Sequence, residues 1–333
     1  MKQKASVLGA DLTIRMEERD VPEPGPGEVL IQVKSVGVCG SDIHYFEHGR
    51  IADFIVKSPL ILGHESSGVV TKTGANVTDL AVGTTVAMEP GVPCGACVQC
   101  REGRYNLCPD VQFFATPPVD GAFCEYVVLP RDFVHPVPQH VSFDAAALAE
   151  PLSVGVWACQ KANVSLNTRV LITGAGPIGA MAALVARSRG ASEITLSDVN
   201  AQRRSRLQEL GFAVVDPTSD PLPTADVLIE CSGAPAAIDQ GICALAPAGT
   251  AVLVGMAADG EVPMPIGVIQ GREIWVTGTF RYANAYPTAV DLIASGRVDL
   301  DQLVSQVFSL EEVEQALTYS HDHPAAMKVM VHP

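Results

Sequence analysis

The run RVLITGAGPIGAMAALVARS at residues 169–188 constrains the fold more than any other stretch, because it sets strand, glycine turn and helix in a fixed order. Residues 169–173 read as a buried strand, GAGPIG occupies 174–179, and an apolar helical segment follows. In such a unit Gly174 permits the tight turn, Gly176 lets backbone approach a pyrophosphate, and Gly179 allows helix and strand to pack closely. The anion then belongs at the helix N-terminus, where unpaired N–H groups converge. The next apolar run, EITLSDV, ends near Asp198, 19 residues past Gly179, where a carboxylate can accept hydrogen bonds from an adenine-ribose diol. That favours NAD, since a carboxylate repels a 2′-phosphate, while Arg203 and Arg204 keep NADP as the alternative.

The same alternation of apolar strands and helical segments runs from about residue 168 to 280 and predicts a parallel sheet covered by helices. From residue 20 to about 150 the texture differs. Short apolar runs (VLIQVKSV, SSGVVTKTG, TTVAME, AFCEYVVLP) broken by Gly and Pro read as antiparallel strands with long loops. The fold class is therefore α/β, a β-rich domain joined to a doubly wound parallel-sheet domain, and 333 residues suit two cores better than one. The tail carries helix candidates PTAVDLIASG and LEEVEQALTYS and a last strand KVMVHP; its periodicity does not say which domain it joins. The apolar stretch GTAVLVG at 249–255 is expected near the sheet edge, where two subunits can share it.

A net charge of −15 opposes binding to phosphate backbones or anionic lipid, so neither nucleic acid nor membrane is an expected partner. No apolar stretch longer than ASVLGA precedes Asp11, which leads to the expectation of a cytoplasmic protein. Glycines and prolines break the longest uncharged runs, against a membrane span.

Nine cysteines in such a chain point to metal before disulfides. Cys94, Cys97, Cys100 and Cys108 stand in PCGACVQCREGRYNLCP, four thiols close enough for a closed, structural tetrahedral zinc site. An iron–sulfur cluster is the competing chemistry, but its ferredoxin run needs different spacing. An open, catalytic zinc needs fewer protein ligands and a free position. GVCGSDIHYFEHG at 37–49 and GHESSG at 63–68 offer Cys39, His64 and Glu65. Neighbours on a strand face opposite ways, so His64 and Glu65 share an ion only if the backbone bends, which Gly63 and Gly68 allow. Asp42 can support the second ring nitrogen of His64.

GHESSGVVTKTGANV resembles in full the zinc signature of the medium-chain alcohol dehydrogenases, and VCGSDIH, GAGPIG and the cysteine lobe follow in that family's order. Within the family, GSDIHYFEHGRIADFIVKSPLILGHE, FFATPPVDGAF, AEPLSVG and TFRYANAYP are similar to the sorbitol/xylitol dehydrogenase branch, from about residue 20 to the end. The resemblance implies a GroES-like catalytic domain (1–152 and 283–333, with its zinc lobe near 90–110) and an inserted Rossmann domain (153–282). It implies NAD, two zinc ions per chain, and a homotetramer or homodimer. The catalytic zinc would be held through Cys39 and His64, with Glu65 or Glu150 as acidic ligand or water-mediated partner. Tyr45, Phe113, Glu150, Arg281 and Tyr282 would line a polyol site. Pro177, Ile178, Asp198, Arg203, Val254, Gly255, Met256, Thr279, Phe280 and Arg281 would contact NAD alongside the three glycines.

The implied reaction is oxidation of a secondary hydroxyl of a polyol, such as sorbitol or xylitol, to a ketose. Ser41 and His44 would relay the proton, with Glu150 as a rival base. A zinc dehydrogenase for a vicinal diol, threonine or sugar acid, and a non-catalytic nucleotide-binding relative, are the alternatives. Two departures stand out: animal sorbitol dehydrogenases lack the complete cysteine lobe present here, and the link DPTSDPLPTA between Val215 and Asp226 is short and Pro-rich.

Overall fold

A computed structural model describes residues 1–257 and 261–333. The chain divides into two compact units, residues 1–150 with 286–333, and residues 151–285.

The first unit is organised around the strand Glu28–Gly37. Along one edge it pairs antiparallel with Glu65–Thr73; along the other, its first half pairs with Tyr126–Pro130 and its end with Lys328–His332. The sheet continues outward through Thr85–Met88 and Val134–Pro136 on one side and Val304–Ser309 on the other. Each apolar run singled out in the first half of the sequence contributes one of these strands, because alternating side chains let one face cover a core while the other meets solvent or a loop. Leu8, Ile31, Leu62, Met88, Phe123 and Leu129 lie fully buried in that core. The tail belongs to this unit: Val304–Ser309 and Lys328–His332 run parallel, and the helix Val313–Asp322 connects them.

The second unit is a six-stranded parallel sheet in the order 213–215, 193–197, 169–173, 225–230, 245–253, 275–278. Numbered along the chain this is 3-2-1-4-5-6, the doubly wound dinucleotide-binding order, with a switch point between the first and fourth strands. Arg169–Thr173 is a near-continuous apolar run, as a strand covered on both faces requires. The helix Pro177–Ser188 has every residue from Gly179 to Ala186 buried. The strand Leu245–Leu253, which carries most of GTAVLVG, is the penultimate strand, near the sheet edge as expected; the edge itself on that side is Trp275–Gly278, whose Trp275 is 76% exposed. An apolar run fits the interior because both of its faces are covered.

Candidate metal centres and nucleotide cleft

In the first unit, the helix Gly40–His48 begins directly after the central strand, with Cys39 as its N-cap. Asp42, completely buried, accepts a hydrogen bond from the Cys39 N–H (3.0 Å) on one carboxylate oxygen and from the Gly63 N–H (2.9 Å) on the other. It thus ties together the two segments that carry Cys39 and His64. Gly63 has φ of +85°, a conformation that other residues adopt only with strain, and this bend turns His64 aside before the strand starts at Glu65. The bend overcomes the opposite-face rule: one donor atom each from Cys39, His64 and Glu65 lies within 4.8 Å of the others. Glu150, in the first turn of the helix Ala149–Lys161, is buried nearby but is not in that group.

The charges at this site fit a divalent cation. Asp42, His64, Glu65 and Lys328 are all buried. Burial disfavours the charged imidazole of His64, but Asp42 and then Cys39 outweigh it and hold its pKa well above the ordinary value. The Asp42 carboxylate lies 3.6 Å from His64 Nδ1. Burial likewise opposes a charge on Lys328, and Glu65 followed by Cys39 keeps that ammonium charged. The Asp42 and Glu65 carboxylates and the Cys39 sulfur thus draw positive charge into this pocket, onto His64 and Lys328, and a thiolate, an imidazole and a carboxylate are zinc donors.

Lys328 was not singled out from the sequence. It donates to the Val38 carbonyl at 2.7 Å and pairs with Glu65 Oε2. The two come from strands on opposite sides of Gly37, where a Cβ would sit 2.2 Å from Glu65 Oε2. The one available signal was a lysine opening an apolar strand, KVMVHP. Of the expected site-lining residues in this unit, Tyr45 and Phe113 are buried and the Phe113 ring lies 5.5 Å from that of His64. Ser41 is half-buried and His44 exposed, its ring 4.6 Å from that of His48.

The cysteine lobe is a second donor set. Donor atoms of Cys94, Cys97, Cys100 and Cys108 lie within 4.8 Å of one another, with Cys97 and Cys100 sulfurs 3.4 Å apart and those of Cys94 and Cys100 4.0 Å apart. A tetrahedron of sulfurs about 2.3 Å from zinc has edges of roughly 3.8 Å, so the arrangement fits. The N–H groups of Ala96 and Cys97 point at Cys94 Sγ and lower its pKa to about 7. The charge a metal-bound thiolate needs is partly provided for before any ion arrives.

In the second unit, Gly174 has φ of +92° and Gly176 caps the helix Pro177–Ser188. A Cβ on Gly179 would lie 1.9 Å from the Gly174 carbonyl oxygen, so only glycine fits. Ile178 is half-buried beside it. Asp198 accepts from the Ala175 N–H and the Asn200 N–H, each at 2.7 Å, which fixes its carboxylate beside the turn. Arg203 Nη1 stands 4.0 Å from that carboxylate, whereas Arg204 donates to the Asp198 carbonyl and pairs with Asp216 at 2.7 Å. Val254 and Gly255 donate their N–H groups to the Glu230 carbonyl, and Met256 beyond them is 71% exposed. Thr279 follows the edge strand, Phe280 is exposed under the Arg281 guanidinium, and Tyr282 is buried.

Comparison with known proteins gives a consistent result. Residues 25–139 match the alcohol dehydrogenase GroES-like domain family and residues 177–295 the zinc-binding dehydrogenase family. A sorbitol dehydrogenase of Gallus gallus is 43% identical over 91% of this chain and 89% of its own length. A sorbitol dehydrogenase of Bacillus subtilis (strain 168) is 40% identical over 99% of this chain and 97% of its own. Among solved structures, a zinc-binding dehydrogenase of Sinorhizobium meliloti 1021 bound to NADP superposes with a TM-score of 0.92 at 31% identity, covering all of both chains.

Proposed function

Because this chain belongs to the zinc-dependent medium-chain dehydrogenases, the alcohol and polyol dehydrogenase family, we propose that it oxidises a secondary hydroxyl of a polyol to a ketose with NAD. The observation that carries the reading is the convergence of Cys39, His64 and Glu65 on one point beneath Phe113. The likeness to sorbitol dehydrogenases supplies the substrate class.

In this reading a bound zinc ion would supply Lewis acidity toward the hydroxyl, and NAD would supply the hydride acceptor. Cys39, His64 and Glu65 are the residues that would hold the metal. Asp42 fixes the first two through backbone N–H groups, and Lys328 holds one Glu65 oxygen so that the other is left to face the ion. Tyr45 and Phe113 are apolar cover that keeps water from the reacting carbon. Ser41 and His44, one helical turn apart, are the candidate route for the released proton, and the buried Glu150 is the rival base. Glu150 also contributes, with Arg281 and Tyr282, to recognition of the polyol. In the second unit, the glycine turn receives the pyrophosphate and Asp198 the adenine ribose. Pro177, Ile178, Arg203, Val254 to Met256 and Thr279 to Arg281 complete the cofactor contacts.

Asp198 favours NAD over NADP, and the engagement of Arg204 with Asp216 supports that preference by directing one nearby guanidinium to a carboxylate. A panel of sorbitol, xylitol, a vicinal diol, threonine and a sugar acid, each with NAD and with NADP, tests the proposal through absorbance of the reduced cofactor. Turnover confined to a non-polyol, or absent from all, would overturn it.

A further inference from the structure

Glu230 is fully buried at the end of the strand Ala225–Glu230, and among the described residues no cation pairs with it. A bare carboxylate in that position is costly unless donors surround it. They do. Its Oε1 accepts from the Ser232 N–H (2.7 Å), the Ser232 hydroxyl (2.5 Å), the Gly233 N–H (3.1 Å) and, at 3.4 Å, the Thr173 hydroxyl; Oε2 also accepts from the Gly233 N–H. Two of these donors are backbone N–H groups of one turn, an arrangement that binds anions. The protein fills this nest with its own side chain.

The same residue reaches the neighbouring turn. Its carbonyl accepts from the Val254 and Gly255 N–H groups at 2.7 and 2.9 Å. Packing there leaves no slack: a Cβ on Gly255 would lie 2.2 Å from the Gly233 nitrogen and 2.9 Å from Glu230 Oε2. One glutamate thus fixes the turns that end the fourth and fifth strands of the sheet and touches, through Thr173, the end of the first.

A doubly wound sheet binds a dinucleotide as two mononucleotide halves across its switch point. Asp198, at the end of the second strand, marks the first three strands as the adenine half, so the fourth, fifth and sixth strands face the nicotinamide half. From this placement we propose that Glu230 is a positioning residue for the nicotinamide end of the cofactor, setting the 231–233 and 254–256 turns without itself touching the ligand. The proposal rests on the cofactor reading above and adds a division of labour within the cleft.

Glu230→Gln keeps shape and volume but turns an amide N–H₂ toward backbone donors. The test compares NADH and AMP binding to the wild-type and variant holoenzymes, by NADH fluorescence titration and by calorimetry. AMP engages only the adenine half and so reports on the fold as well. The expected result is about a tenfold rise in the NADH dissociation constant with AMP affinity unchanged, and a smaller rise of the same pattern for Ser232→Ala, which removes one donor. Equal weakening of both nucleotides, or NADH affinity within twofold of wild type, would overturn the assignment. Wild-type protein that binds neither nucleotide would instead overturn the cofactor reading on which it stands.

Discussion

Lys328 reaches across Gly37 to Glu65, and the two form an ion pair with only 3% and 1% of their side chains exposed. Removing one partner leaves the other charge uncompensated in the interior. For metal-free protein, Lys328→Met is expected to lower unfolding stability by about 3–5 kcal/mol. Urea denaturation checks this; a loss under about 1 kcal/mol would mean that the pair is solvated or dispensable.

Gly37→Ala probes the same contact from the backbone side. The added Cβ must push the Glu65 carboxylate away, since the two cannot stand 2.2 Å apart. Metal analysis should then show one zinc lost per chain and one retained, with turnover falling at least tenfold. Full zinc content with normal turnover would exclude Glu65 from the metal.

Cys39→Ala and His64→Ala should each abolish turnover while NADH affinity stays within a few-fold of wild type. The nucleotide cleft draws its groups from the second unit, so the two readouts separate. Residual turnover near the wild-type level in either variant would refute the metal assignment.

Thiol chemistry distinguishes the lobe from the cores. Cys94 is exposed with a pKa lowered to about 7, whereas burial pushes Cys124 and Cys159 up to about 12. In chelator-treated protein, iodoacetamide labelling of Cys94 should rise as pH passes through 7 and then level off, because the thiolate is the reactive form. Cys124 and Cys159 should stay unlabelled until the protein unfolds, and added zinc should protect Cys94. Mass spectrometry of the peptides reads all three sites, and equal labelling of Cys124 would contradict the assignment.

Asp198→Ala is expected to weaken NAD binding about tenfold or more and to bring NADP to comparable efficiency. The ratio of kcat/KM for the two cofactors measures it. An unchanged ratio would show that the ribose contact lies elsewhere.

How much of this was legible in the chain depends on how local each interaction is. The glycine turn, its helix and Asp198 lie within about thirty residues, and Gly174 and Gly179 are demanded by a positive φ and a close backbone contact, so the pattern survives in the sequence. The four lobe cysteines are legible for the same reason. The bend at Gly63 could be anticipated because His64 and Glu65 are adjacent and must otherwise diverge. Asp42 was expected beside His64, but its closer contacts are two backbone N–H groups, which no side-chain pattern records. Lys328 lies 263 residues from Glu65, and Glu230 is surrounded by backbone donors from its own turn. Charged residues at the ends of apolar strands were their only trace. GTAVLVG lies one strand in from the edge, and hydropathy did not say that Trp275–Gly278 would cover it, because strand order is set by crossover connections.

The place of Lys328–His332 in its sheet also bears on how the chain matures during synthesis. That strand seats against the end of Glu28–Gly37 and bridges it to Val304–Ser309, yet it leaves the ribosome after every other strand of the sheet. Residues 151–285 form a contiguous unit whose contacts are all available earlier. Vectorial folding then completes the nucleotide-binding unit while the other still waits for its closing strand. Until Lys328 arrives, the carboxylate of Glu65 has no ammonium to orient it, so a nascent chain would lack a finished metal pocket. On the zinc reading proposed above, the pocket would be completed only after residues 151–285 have been made.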